Sequence, residues 1–230
     1  MKIFITGVAG FLGSHLADLM ISQGHTVAGN DNMIGGYTDN VPQDVEFHQV
    51  DCCDLENMTR AMEGIVYCSS MARYGHHDEV PYKETYECRP QDPYGIAKKA
   101  GEDVLRNLCE THGVEYVIAV PHNIVGPRQK YDDPFRNVMS IMLNRMLQGK
   151  QPIIYGDGEQ KRCFSYIDDC LYCLNALAFN DNVVGEVINI GPDEEPVTIN
   201  QLAEACANET GVNLEPIHHK DRPKEVKLAT

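Results

Sequence analysis

Short apolar runs bounded by glycine or polar turn residues alternate along the chain with stretches in which apolar positions recur three or four residues apart. Lys2-Ile-Phe-Ile-Thr6 reads as a buried strand, followed at once by Gly7-Val-Ala-Gly10-Phe-Leu-Gly13 and an amphipathic helix ending at Gln23-Gly24. Thr26-Val-Ala-Gly29 and Val45-Glu-Phe-His-Gln-Val50 are the next strands, and Ala61-Met-Glu-Gly64-Ile65 runs straight into a further one, Val66-Tyr-Cys-Ser-Ser70. A helix is predicted from Pro93 to about Thr111, carrying Ile96, Ala100, Val104, Leu105 and Leu108 and stopping before Gly113. The strand Val114–Val120 then delivers Pro121-His-Asn123. Beyond residue 124 the pattern loosens. A helix opens at Asn137-Val138 and is stopped by Gly149, and a strand, Ile153–Gly156, enters a glycine turn. Val187–Gly191 returns as a strand, and Thr198-x-x-Gln201 is a capping box for a last helix to Glu209. Strands alternating with helices predict an α/β fold around a parallel sheet.

Two of these junctions carry chemistry. Strand, glycine-rich turn and helix is the context of a dinucleotide site, because glycines let the backbone approach a pyrophosphate whose charge meets free amides at the helix start. The spacing here is G-x-x-G-x-x-G. Asp31, 18 residues beyond Gly13, stands where a carboxylate accepts hydrogen bonds from an adenosine ribose; it would repel a 2′-phosphate, which favours NAD over NADP. Asp51 and Cys52, at the end of the third strand, are placed to touch the adenine. The second junction is Ser69-Ser70 and the helix opened by Asp92-Pro93, an N-cap followed by proline at the first helical position. Tyr94 and Lys98 share one face of that helix. A positive charge beside a phenol favours the phenolate, so Tyr94 is a candidate general base.

Composition narrows the partners. The formal charge of −15 over 230 residues argues against nucleic acid and anionic membranes, both polyanions. No apolar run approaches the ~20 residues of a membrane span, and Met1-Lys2-Ile3 leads directly into a strand without a signal-peptide pattern. The nine cysteines form no framework: Cys170 and Cys173 are a lone C-x-x-C in a helical pattern, and Cys52-Cys53 are adjacent. Reduced thiols in a cytoplasmic protein are expected. His76 and His77 have no further ligand at supporting spacing, so no metal site is expected.

With these motifs on the page, the chain resembles the extended short-chain dehydrogenases/reductases, specifically the nucleotide-sugar epimerases and dehydratases and most nearly the UDP-glucose 4-epimerase-like members. The carriers of the resemblance are Gly7, Gly10 and Gly13, Asp31-Asn32, Asp51, Ser69-Ser70, Tyr74-Gly75 and the Tyr94-x-x-x-Lys98 pair. To these are added Asn123 with Gly126-Pro127-Arg128, Tyr155-Gly-Asp-Gly158, and Arg162 before Tyr166-Ile-Asp-Asp169. The resemblance implies a Rossmann-like doubly wound sheet in residues 1–123, completed by about 163–191, with a smaller substrate-binding domain from 124–162 and 192–230.

The roles it implies follow residue by residue. Gly7, Gly10, Phe11, Leu12, Gly13, Asp31, Asn32, Asp51, Cys52, Tyr94, Lys98 and Pro121 would hold NAD. Ser70, Asn123, Asn137, Val138, Arg162 and Arg222 would hold a UDP-sugar or related nucleotide-sugar, the arginines suiting phosphate oxygens with their paired donors. Tyr94 would take a sugar hydroxyl proton, Lys98 would favour the phenolate and hold the nicotinamide ribose, and Ser70 would hydrogen-bond the reacting oxygen. Dehydratases and decarboxylases of the family carry an acid before the Tyr-Gly pair; Met71-Ala-Arg73 holds none, so epimerisation at C4 is the expected reaction. The dehydratase, the decarboxylase and a non-catalytic NAD- or sugar-binding remnant are the alternatives. One departure is large: roughly fifty family residues, a fourth strand and its crossover helix, have no counterpart after Gly64. That helix contributes to the homodimer the resemblance implies.

Overall fold

The computed structural model describes residues 1–51, 64–132, 137–221 and 228–229. β1 (Lys2–Thr6), α1 (Phe11–Ser22), β2 (Thr26–Asn30) and β3 (Glu46–His48) form a unit in which the three strands are parallel in the order β1-β2-β3. Ile5, Val8, Ala17, Met20, Val27 and Val45 make its core.

β4 (Gly64–Cys68) begins the second half of the chain and is followed by a 3₁₀ turn at Met71–Arg73. α2 (Pro93–His112) is opened by Asp92, whose carboxylate accepts from the Gly95 amide at 2.8 Å, and closed by Gly113 in the left-handed conformation. β5 (Glu115–Pro121) follows, then β6 (Ile124–Val125) and α3 (Val138–Leu147). Next come β7 (Ile153–Tyr155), β8 (Lys161–Arg162), β9 (Ser165–Tyr166) and α4 (Ile167–Ala178). The chain continues through β10 (Val187–Ile190), β11 (Val197–Thr198), α5 (Ile199–Thr210), β12 (Ile217–His219) and β13 (Leu228–Ala229). The expected capping box is present at α5, with the Thr198 hydroxyl accepting from the Gln201 amide and the Gln201 side chain accepting from the Thr198 amide.

The main sheet of this half has the order β10-β5-β4, all parallel. Pairs or triplets of short strands, β12-β7, β6-β9 and β11-β8-β13, lie outside it. Two cores support the half. Tyr74, Tyr82, Cys109, Tyr116, Ile118 and Val120 pack between α2 and β5, while Met142, Met146 and Ile154 pack against α5.

Among the described residues the parallel strands therefore fall into two sheets of three, where a single doubly wound sheet would run through a fourth strand. Contacts divide the chain accordingly into Met1–Ala61 with Gly126–Asp133, and Met62–Val125 with Pro134–Thr230. Each unit is centred on one three-stranded parallel sheet. The reason is physical: strands bound into one sheet are one unit, and here the two sheets are bound separately. Residues 52–63, which lead up to the point where the chain departs from the family pattern, lie outside the described residues.

Candidate functional site

In the first unit the glycine turn and the ends of β1 and β2 build a cradle. Gly7 has φ +70° and its amide donates to the Asn30 carbonyl at 2.7 Å, turning the chain sharply off β1. A Cβ on Gly13 would collide with the Gly7 carbonyl oxygen, so only glycine lets α1 start this close to the turn. Gly10 caps α1 without a side chain, which leaves the amides of Phe11, Leu12 and Gly13 at the helix start for a ligand.

Beside this turn lies a pocket of about 200 Å³ lined by Thr6, Gly7, Asn30, Asp31 and Asn32. Asp31 is buried; it accepts from the Ala9 amide at 3.1 Å and the Met33 amide at 2.8 Å, one on each oxygen. A carboxylate has about four acceptor positions, so two remain for ribose hydroxyls. Asn32 donates to Asp51 at 3.0 Å, which joins two more of the expected residues. Cys52 lies outside the described residues. A dinucleotide fits this set: free amides for the diphosphate, a carboxylate for the ribose, and no side chain in the turn to block the approach.

In the second unit, α2 is laid against the end of β4 at three places. Gly95 touches the 3₁₀ turn, where a Cβ would stand 2.5 Å from the Ala72 carbonyl oxygen. Lys98 donates to the Cys68 carbonyl at 2.7 Å. Glu102 accepts from the Ser69 hydroxyl. Positions 95, 98 and 102 share one helix face, so the period of the helix matches the strand end residue for residue.

The lysine anchored in this way sits 5.8 Å from the Tyr94 ring centroid and 5.5 Å from that of Tyr67. Tyr94 itself is 58% exposed, so its phenol is open to a ligand. Ser70 accepts from the Ala72 amide at 3.2 Å and thereby caps the turn. One of its two acceptor positions is thus taken, while its O–H is left to donate. Ser70, Tyr94 and Lys98 are the residues the sequence pairs, and these contacts bring them to one end of β4.

The residues expected at the nucleotide side lie further along the same unit. Pro121 ends β5, and Asn123 beyond it has φ +32°, an uncommon conformation for a non-glycine residue. Its amide donates to the Cys163 carbonyl at 3.1 Å, next to Arg162. Asn137 caps α3 by accepting from Met139 at 2.9 Å and donates to the Ile124 carbonyl at 3.2 Å, so Val138 begins the helix. Arg222 lies outside the described residues.

Three participants escaped the sequence reading. Glu102 is fully buried and Arg73 nearly so, with Arg73 Nη2 3.0 Å from Glu102 Oε2. The only signal in the sequence is register: Glu102 follows Tyr94 and Lys98 at four-residue steps. His122 is buried and its Nε2 has no hydrogen-bond partner among the described residues. Burial, and then the positive charge of Arg162, push its pKa down to about 4. Tyr74, in contrast, is structural: burial pushes it up to about 12, and its hydroxyl donates to Asn189 Oδ1 at 2.9 Å. Among the described residues no helix is long and apolar enough to cross a membrane.

The sequence model of the NAD dependent epimerase/dehydratase family matches this chain in two pieces, residues 3–65 and 59–191. A provisionally named UDP-glucose 4-epimerase of Methanocaldococcus jannaschii is 30% identical over 97% of this chain and 87% of its own length. The UDP-N-acetyl-alpha-D-glucosaminuronate decarboxylase of Bacillus cytotoxicus is 28% identical over 94% of this chain and 83% of its own. Among solved structures, UDP-glucose 4-epimerase from Thermotoga maritima with UDP-glucose superposes with a TM-score of 0.90 at 28% identity, covering 100% of this chain and 89% of that one. The archaeal alignment is 273 positions long yet takes in 97% of 230 residues, about 223, so about 50 positions of the relative face no residue here. The two family matches meet at 59–65, where the sequence places the missing strand and helix. By the family match over most of its length and the 30% identity to the archaeal relative, the chain belongs to the NAD-dependent epimerase/dehydratase family.

Proposed function

We propose that this chain is an NAD-dependent epimerase acting at C4 of a UDP-hexose. The observation that carries the reading is the end of β4, where Lys98 is fixed on the Cys68 carbonyl beside the open Tyr94 ring and Ser70 keeps a free O–H. Bound NAD supplies a reversible hydride acceptor. The α1 amides and Asp31 receive the dinucleotide. Tyr94, with the Lys98 ammonium beside its ring, takes the proton of the sugar hydroxyl through its Oη. Ser70 donates to the same oxygen and stabilises the negative charge that gathers there. Loss of that proton from the hydroxyl oxygen and of a hydride from the carbon that bears it would leave a 4-keto sugar; return of both, with the hydride on the opposite face, would give the epimer. Asn123, Asn137, Val138, Arg162 and Arg222 hold the nucleoside diphosphate while the sugar turns.

Elimination or decarboxylation, the reaction the Bacillus relative is named for, is less well supported. Met71-Ala-Arg73 brings no acid, and the one buried carboxylate nearby, Glu102, is engaged by Ser69 and Arg73.

A second reading is favoured by one observation, the two separate three-stranded sheets: a remnant that binds NAD or a nucleotide-sugar without turnover. One experiment separates the two. The purified chain is given UDP-glucose or UDP-N-acetylglucosamine and followed for bound NADH absorbance and for the 4-epimer. Turnover that is lost in Tyr94→Phe, with NAD binding kept, supports the epimerase. NAD binding with neither signal in the unaltered chain leaves only the remnant.

A further inference from the structure

The helix that carries Tyr94 and Lys98 continues its inward face to Glu102, and this carboxylate is tied to both flanks of Ser70. On one side the Ser69 hydroxyl donates to Oε1; on the other, Arg73 Nη2 lies 3.0 Å from Oε2. The connection does not stop there. Arg73 Nη1 donates to the Tyr74 hydroxyl at 3.4 Å, and Tyr74 donates in turn to Asn189 on β10. A line of polar contacts thus runs from α2, around the turn bearing Ser70, to the far strand of the sheet.

Stability alone is a poor reason for this arrangement. A buried ion pair contributes no more than well-packed apolar side chains of the same volume, because desolvation offsets the attraction. The pair is also imperfect: its 3.0 Å contact is an ion pair without hydrogen-bond geometry, and both Arg73 Nε and Glu102 Oε2 are buried without a hydrogen-bond partner among the described residues. What it supplies and an apolar pair does not is direction. Hydrogen bonds and charge fix the turn at a given angle, whereas apolar contacts let it slide.

We propose that Arg73 and Glu102 are positioning residues, which hold the 69–74 turn so that the Ser70 O–H keeps its aim at the reacting oxygen. The inference rests on the epimerase reading for its catalytic half. Two amides report on the geometry directly: Ala72 N–H donates to Ser70 Oγ, and Arg73 N–H donates to Ser70 O at 3.0 Å.

The test compares Glu102→Gln, Arg73→Met and the double variant R73M/E102M with the unaltered chain, reading Tm, hydrogen exchange of residues 69–74, kcat and KM. Each single change strands a buried polar partner and lowers Tm. The double change removes both charges and returns Tm close to the original. The expected result is that the double variant still exchanges Ala72 and Arg73 amides about tenfold faster or more, a local loosening. Its kcat stays about tenfold or more down with KM within about twofold, because misaim affects the reacting geometry more than binding. Recovery of both exchange protection and kcat along with Tm overturns the proposal and makes the pair a structural filler. If the double variant does not fold, Glu102→Gln decides: normal protection and normal kcat overturn it. An unaltered chain that binds NAD but turns nothing over refutes the functional reading, and the exchange comparison still judges the positioning.

Discussion

His122 differs from its neighbours at the end of β5 in being both titratable and sealed. Its folded pKa of about 4 lies below the ordinary imidazole value of 6.5. Below pH 6.5 the unfolded chain takes up a proton that the folded chain refuses, so stability falls with acid until pH 4 and is level above pH 6.5. The full loss, spread over about 2.5 pH units at about 1.4 kcal/mol each, is between about 3 and 4 kcal/mol. Urea unfolding midpoints at pH 7 and pH 5 measure it, and His122→Gln should flatten the difference. At this scale the sequence was most legible where chemistry demands a fixed residue type. Gly7, Gly13, Asp31, Ser70, Tyr94 and Lys98 each stand in the local setting their spacing announced. His122, Arg73 and Glu102 were illegible, because a charged or polar letter in the sequence carries no mark of whether tertiary packing will bury it.

Among the elements, α2 holds the clearest disagreement between pattern and placement. The apolar positions that announce it, Ile96, Val104 and Leu108, are 54%, 58% and 52% exposed, while its inward face carries Gly95, Glu102 and Cys109. Periodicity located the helix correctly and said nothing of which face meets the sheet. Caps were far more faithful: Asp92, Asn137 and Thr198 each accept the amide that their position predicts. Gly95 follows from the same packing. Ala is favoured over glycine in helices by about 1 kcal/mol, but overpacking against a fixed backbone costs about 1–3 kcal/mol. With a Cβ 2.5 Å from the Ala72 carbonyl oxygen, the second effect is expected to win. Gly95→Ala should therefore lower Tm, and kcat should fall with it because the helix that moves carries Tyr94; a raised Tm would show that the turn yields freely.

For the whole molecule, strand and helix alternation was enough to read the α/β class and the dinucleotide end. The missing fourth strand was legible only through the resemblance to the family, whose pattern has about fifty residues with no counterpart after Gly64. That the parallel strands would settle as two sheets was not legible, since sheet membership is decided by pairing between distant segments and leaves no local signature. β1 pairs only with β2, and β4 only with β5, among the described residues. Among the described residues each of these strands thus has a strand bound along one side alone, and Phe4 on β1 is 40% exposed. Open strand margins recruit other extended chains. Light scattering of the purified chain should climb faster than in proportion to concentration, and Phe4→Lys should suppress the climb if the β1 margin is responsible. Crowding, and with it shelf life, is then governed at a strand border: the solubility ceiling of this protein is written into the borders of its sheets.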